Sequence, residues 1–218
     1  PDMIYAFTAM LEFRNHKVSN RALSKVIELL KTNTWFKVAY QPTMTTLNRD
    51  NFKNFVYQPL KHQFEFFDLA EQNMQRFDLR GYLLAAEPGA GKTYSGIVMG
   101  DLLESDVNIF IVPKNSVDLV WKASFENLYK KKTTYWVSSD NKDPIPGCRN
   151  YAFHYERLDQ AIEFVKKQDF KKPMIWVDES HNLNEMSSLR TKLFLEFLTK
   201  MNHFYAFWAS GTPIKAMG

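Results

Sequence analysis

A single cysteine, Cys148, stands among 218 residues. That count excludes a disulfide framework and a cysteine-built zinc site. Internal repeats and low-complexity tracts are missing as well. No apolar run is long enough to cross a bilayer, and no N-terminal stretch is built like a signal peptide. The expected location is therefore a cell interior: cytoplasm, nucleoid or nucleus, or a host cell for a viral protein. Strong charge of one sign is lacking too. A net charge of +4 and a pI near 9.0 permit an anionic partner without demonstrating one. What is present is 45% hydrophobic and 24% charged residues, the balance of a globular chain, which excludes wholesale disorder and collagen-like structure. Aromatics reach 15%, with 18 Phe, enough for a well-filled core. The first residue is Pro1 rather than Met, the mark expected of a fragment or a processed chain.

The pattern changes near residue 58. Within 1–57 the clearest element is a helix expected over 20–31, where Ser19 or Asn20 can cap and Leu23, Val26, Ile27 and Leu30 share one face. Thr- and Asn-rich turns surround it, and no chemical motif occurs there. Residues 1–57 read as a small accessory module and 58–218 as the main lobe. In the lobe, apolar runs at 82–86, 108–112, 133–137, 150–153, 174–177 and 204–208 read as strands. Between them, helical patterns fall at 93–103, 117–129, 155–167 and 189–200. Apolar strands alternating with amphipathic helices imply an α/β fold, a mainly parallel sheet covered on both faces. Ligands of such sheets bind at the carboxyl ends of strands. The polar, Gly-rich punctuation sits there, after Ala86, Val112, Val177 and Trp208.

The segment Ala86-Glu87-Pro88-Gly89-Ala90-Gly91-Lys92-Thr93 follows one strand and opens a helix, the context of a phosphate-binding loop. Gly89 and Gly91 allow a tight turn that points backbone N–H groups inward. The helix N-terminus adds partial positive charge. Lys92 is expected to reach the β- and γ-phosphates, and Thr93 to place its hydroxyl on Mg²⁺. Ala86 stands where the pattern has its first Gly. The competing reading is a glycine-rich turn with a chance Gly-Lys-Thr. Further along, Met174-Ile175-Trp176-Val177-Asp178-Glu179-Ser180-His181 is an apolar strand that ends in two carboxylates. Asp178 is suited to hold Mg²⁺, and Glu179 to orient and deprotonate an attacking water. Taken alone, an Asp-Glu pair is as well a solvated turn. Downstream of a phosphate loop it reads as part of the same site. His181 either links that site to the rest of the lobe or is a polar helix-start residue.

Phosphate loop, Asp-Glu-Ser-His and Ser210-Gly211-Thr212-Pro213 occur in the order of motifs I, II and III of superfamily 2 helicases. Within that superfamily the chain resembles the Swi/Snf branch of double-stranded DNA translocases. Leu60-Lys61-His62-Gln63 resembles the branch's adenine-recognition motif, with Gln63 as the reader. Ile111-Val112-Pro113-Lys114 with Trp121 resembles motif Ia, and 151–158 sits where motif Ib falls. Asn182 and Ser188-Leu189-Arg190-Thr191 resemble the stretch after motif II. The resemblance covers about 58–218. It implies a RecA-like lobe that binds ATP and Mg²⁺, with residues 87–93 and Gln63 around the nucleotide. It implies that Lys92, Asp178 and Glu179 serve hydrolysis and that Thr93 and Asp178 hold the metal. His181, Ser210 and Thr212 would couple nucleotide state to DNA grip, and Lys114 and His154 would touch nucleic-acid phosphates.

The family's active enzymes carry a second RecA-like lobe with motifs IV to VI and arginine fingers, and the sequence stops at Gly218. The chain by itself is expected to bind nucleotide weakly and hydrolyse it poorly. The expected partners are duplex or branched DNA rather than RNA, and a second lobe; no membrane is expected. An RNA helicase and a non-catalytic nucleotide-binding or protein-docking module are the alternatives. Lys130-Lys131-Lys132, Lys166-Lys167 and Lys171-Lys172 read as cations at helix ends on solvated faces. Phe64, Phe66, Phe67, Trp121 and Trp176 read as packing residues.

Overall fold

The computed structural model describes residues 45–211, apart from 141 and 184. The helix expected over 20–31 and the motif III residue Thr212 lie outside the described residues. The strands are β1 (Gly81–Ala85), β2 (Asn108–Val112), β3 (Tyr135–Val137), β4 (Asn150–His154), β5 (Met174–Asp178) and β6 (Tyr205–Ser210). They form one sheet in the order β1-β6-β5-β2-β4-β3. Every pairing is parallel. The lobe is a RecA-like α/β fold.

Alternation along the strands builds the two faces. Phe110, Val112, Met174 and Trp176 enter one core. Their neighbours Ile109, Ile111, Ile175 and Val177 enter the other. A strand covered on both sides needs apolar residues at every position, which is why these runs are continuous rather than alternating. The first face is covered by α1 (Lys61–Phe77), α2 (Lys92–Leu102) and α3 (Ala123–Asn127). The second is covered by α4 (Leu158–Val165) and α5 (Leu189–Thr199). No helix among the described residues is long and apolar enough to cross a membrane.

The strands lie close to their expected positions; the helices are more instructive. Helix α1, with 17 residues, has no counterpart among the helices expected from the sequence. It turns Phe66, Phe67, Ala70 and Met74 inward, and Asp78 ends it in a left-handed conformation at φ 48°. Phe64 does not enter the core as expected. It is 37% exposed and meets Phe52 edge-on at 5.2 Å. The helix expected over 117–129 opens as a wide π-helical stretch, Val117–Lys122, before α3 begins. That stretch carries the buried Trp121 indole, packed on Phe110 at 4.7 Å. The helix expected from 155 begins with a tight turn, Tyr155–Arg157, and becomes α-helical only at Leu158.

Residues 45–57, assigned from sequence to the accessory module, pack onto the lobe. Leu47, Phe52 and Phe55 are buried in the same core as α1 and α2. Phe55 pairs antiparallel with Tyr129, flanked by Val56 N–H to the Leu128 carbonyl and Lys130 N–H to the Asn54 carbonyl, both 2.8 Å.

Candidate functional site

Strand order decides the site. β6 lies between β1 and β5, so the loop after β1, the carboxylates after β5 and Ser210 at the end of β6 become neighbours. Register keeps the tips level: Ala85 is opposite Ser210, and Asp178 is opposite Ala209. The Ala86 N–H donates to the Ser210 carbonyl at 3.1 Å, which extends the pairing into the loop.

The loop after β1 is shaped by two glycines in left-handed backbone, Gly89 at φ 84° and Gly91 at φ 80°. Gly91 is also the N-cap of α2, where a Cβ would stand 2.2 Å from Gln63 Nε2. The requirement for glycine there is thus doubled, by conformation and by space. Glu87, Pro88 and Gly89 form the exposed rim, and Ala90 faces α1. The Ala90 carbonyl accepts from His62 Nε2 at 2.9 Å and from Gln63 Nε2 at 3.4 Å. Gln63 Oε1 accepts the Leu60 N–H at 2.8 Å, so one side chain caps α1 and touches the loop. Lys92, at the first turn of α2, folds back under the loop. Its Nζ donates to the Ala86 and Glu87 carbonyls at 3.1 and 3.3 Å, and lies 3.9 Å from Glu179 Oε1. Thr93 follows, half-buried.

Asp178 ends β5 and is 8% exposed. Burial pushes its carboxyl up to about 6, and the neighbouring Glu179 charge adds to the rise. Lys92 opposes the shift. So does the Trp121 indole N–H, more weakly, from a geometry that forms no proper hydrogen bond. A buried carboxyl held that high suits a site completed by a cation. Glu179 sits in left-handed backbone at φ 50°, a conformation that costs a non-glycine residue about 1–2 kcal/mol. Three hydrogen bonds hold the turn. The Tyr155 hydroxyl donates to the Asp178 carbonyl at 2.6 Å; the Asn182 N–H and side-chain amide donate to the Glu179 carbonyl at 3.0 and 2.8 Å. Tyr155 also stands 3.4 Å from the Glu179 carbonyl, and Arg190 covers its ring at 5.2 Å. Burial and the two carboxylates hold the Tyr155 hydroxyl well above its ordinary range, so it stays a donor.

His181 lies in the short turn Ser180–Leu183 after β5 and reaches across to β6. Its Nδ1 is 3.3 Å from Glu179 Oε2 and 3.0 Å from Ser210 Oγ, which joins the tips of β5 and β6. Gly211 continues past Ser210, and a Cβ there would stand 3.5 Å from Pro88 and 3.9 Å from Lys92 Nζ. The two residues matched to nucleic-acid contact are not brought together with this cluster. Lys114 is exposed, in the short turn after β2. His154 is 7% exposed at the end of β4, with Nδ1 3.1 Å from Glu156. Burial lowers its basicity, and little of the ring faces solvent. Sequence reading assigned no role to Tyr155 or His62. Both fall in matched segments, but only the fold reveals that they touch the loop and the carboxylate turn.

Comparison with known proteins agrees with the fold. Residues 56–215 match the profile of the family described as "Type III restriction enzyme, res subunit". A curated relative, the SWI/SNF-related matrix-associated actin-dependent regulator of chromatin subfamily A-like protein 1 homolog of Caenorhabditis elegans, is 27% identical over 135 residues. That alignment takes in 60% of this chain and 19% of the relative, so the chain spans about a fifth of the relative's length. A solved structure, the Sulfolobus solfataricus SWI2/SNF2 ATPase core in complex with dsDNA, superposes with a TM-score of 0.59. It is 18% identical, over 82% of this chain and 36% of that one.

Proposed function

From the premise that the chain belongs to the type III restriction enzyme res-subunit family, as a superfamily 2 motor lobe of the Swi/Snf-like kind, we propose that it binds ATP with Mg²⁺ and couples hydrolysis to movement along duplex DNA. The carrying observation is the convergence of Lys92, Asp178, Glu179, His181 and Ser210 at three adjacent strand tips. On this reading Lys92 leaves its two loop carbonyls and turns to the β- and γ-phosphates. The N–H groups of residues 89–93 receive phosphate oxygens, helped by the N-terminus of α2. Gln63 reads the adenine, next to the loop it already touches. Thr93 and Asp178 hold the metal, which neutralises phosphate charge when bound. Glu179 Oε1 orients the attacking water and takes its proton. His181 conveys the state of Glu179 to Ser210, and Thr212 continues that path.

Duplex DNA is favoured over RNA because the relative is a chromatin regulator and the solved neighbour holds double-stranded DNA. Lys114 is the proposed backbone contact on the nucleotide side. A second RecA-like lobe is the proposed source of the transition-state arginine, so the lobe alone turns over slowly. Titration of ATP-Mg²⁺ against wild type and Lys92→Ala tests the first part, and ATPase with duplex DNA or duplex RNA, with the second lobe supplied, tests the rest. Lys92-dependent binding with stimulation by DNA supports the proposal. Stimulation by RNA alone moves it to an RNA helicase, and failure to bind nucleotide leaves a docking module.

A further inference from the structure

The loop Lys130-Lys131-Lys132 has no part in the nucleotide site. In the fold it meets Lys53 and Arg149 around a cavity of about 480 Å³ floored by Asp101 and Tyr129. The two contributing segments are fastened together. Phe55 bridges Tyr129, and the Lys130 N–H donates to the Asn54 carbonyl at 2.8 Å. Asp101 is the one acid of the lining, and it is already engaged. It accepts from Asn54 Nδ2 and the Tyr129 hydroxyl, each at 3.2 Å, and lies 3.4 Å from Arg149. Arg149 in turn donates to the Ser105 carbonyl. Lys53, Lys130, Lys131 and Lys132 are exposed, and among the described residues none of them forms an ion pair. Among the described residues, four exposed cations without an ion pair therefore surround a concave surface.

The place matters. Lys132 and Arg149 precede β3 and β4, and Asp101 is near the end of the helix whose start carries Lys92. The cavity thus lies at the amino ends of the strands, one strand length, about 16 Å, from the edge that carries the phosphate loop. The dipole of α3 does not explain the cluster. Such stabilisation fades within the last turn, whereas α3 ends at Asn127 and Lys53 arrives from a different segment.

We propose that this cleft is a second phosphate-binding surface, which holds the backbone of a nucleic-acid duplex at the end of the lobe opposite the nucleotide. Lysine is a flexible point charge, and four of them spread over two segments suit a ribbon of phosphates better than one small anion, which would need preorganised buried donors. The choice of duplex DNA rests on the function proposed above; the charge argument does not.

The test is fluorescence anisotropy of a short labelled DNA duplex across a KCl series. The slope of log K against log salt is about −0.9 per neutralised phosphate. The double variant Lys131→Gln/Lys132→Gln is expected to flatten the slope by about 1.8, and Lys53→Gln by about 0.9, with ATP-Mg²⁺ affinity unchanged. All are exposed side chains, and thermal melts confirm folding. A slope and affinity unmoved by these variants overturn the inference, and if Lys114→Gln alone flattens the slope, the duplex sits only on the nucleotide side. Inorganic tripolyphosphate that binds with the same lysine dependence, while duplex does not, also overturns it and assigns the cleft to free polyanions. Loss of ATP-Mg²⁺ binding with the lysine-dependent slope intact would sink the ATPase reading and leave this one standing.

Discussion

Asp178 and Tyr155 divide the work at the carboxylate turn, one by charge and one by geometry. The Asp178 carboxyl, pushed up from 3.8 to about 6, means that the folded chain holds a proton the unfolded chain releases. Stability without nucleotide therefore falls as pH rises from about 4 to 6, and the penalty persists above. Asp178→Asn is expected to stabilise the nucleotide-free chain at pH 7.5, by at most about 3 kcal/mol, and to lose that advantage near pH 4. Denaturant midpoints at the two pH values check this. On the proposed function, the same variant should gain little stability from ATP-Mg²⁺, because the carboxylate proposed to hold the metal is gone. Tyr155→Phe removes the 2.6 Å bond to the Asp178 carbonyl while it keeps the ring under Arg190. With the proposed second lobe supplied, the proposed ATP turnover should fall roughly 10-fold or more, through kcat, with little change in ATP KM. An equal rise in KM would refute the positioning role. The sequence made Lys92, Asp178 and Glu179 legible because each sits inside a short motif whose chemistry is local. Tyr155 was not, since a hydroxyl that serves a turn 23 residues away leaves no spacing to read.

Helix α2 is the element on which the site turns, because it carries the phosphate loop at its start and packs against β5 through glycine. A Cβ on Gly96 would stand 2.7 Å from the Trp176 ring. Gly96→Ala should push α2 off the sheet at a cost of about 1–3 kcal/mol, and weaken ATP-Mg²⁺ as Lys92 moves with it. A thermal melt and a nucleotide titration on the same variant read both effects. Gly91→Ala should spare more stability but lose nucleotide, since its strain falls on the loop and on Gln63. Strand runs were readable to within a residue or two because burial on both faces demands continuous apolar sequence. Helix ends were less so. The π-helical stretch at Val117–Lys122 and the tight turn at Tyr155–Arg157 follow from what Trp121 and Tyr155 touch across the fold. No local propensity dictates such contacts.

For the molecule as a whole, two cores clasp one sheet, and nucleotide bound as proposed at the tips of β1, β5 and β6 would tie both cores to one ligand. At about 100-fold excess over its Kd, ATP-Mg²⁺ should add about 2.7 kcal/mol to unfolding stability in wild type and nothing in Lys92→Ala. A melt with and without ligand checks this. The sequence by itself determined the order of strands and helices from about residue 82 onward, the apolar strands, the glycine loop and the carboxylate pair, because each is written in neighbouring residues under a fixed period or spacing. Only the tertiary structure decided that β6 inserts between β1 and β5, which lets His181 span Glu179 and Ser210. The same holds for Lys53, which comes to stand beside Lys130-Lys131-Lys132. Strand order and the meeting of distant segments are set by how whole faces pack, and no window of sequence contains both partners.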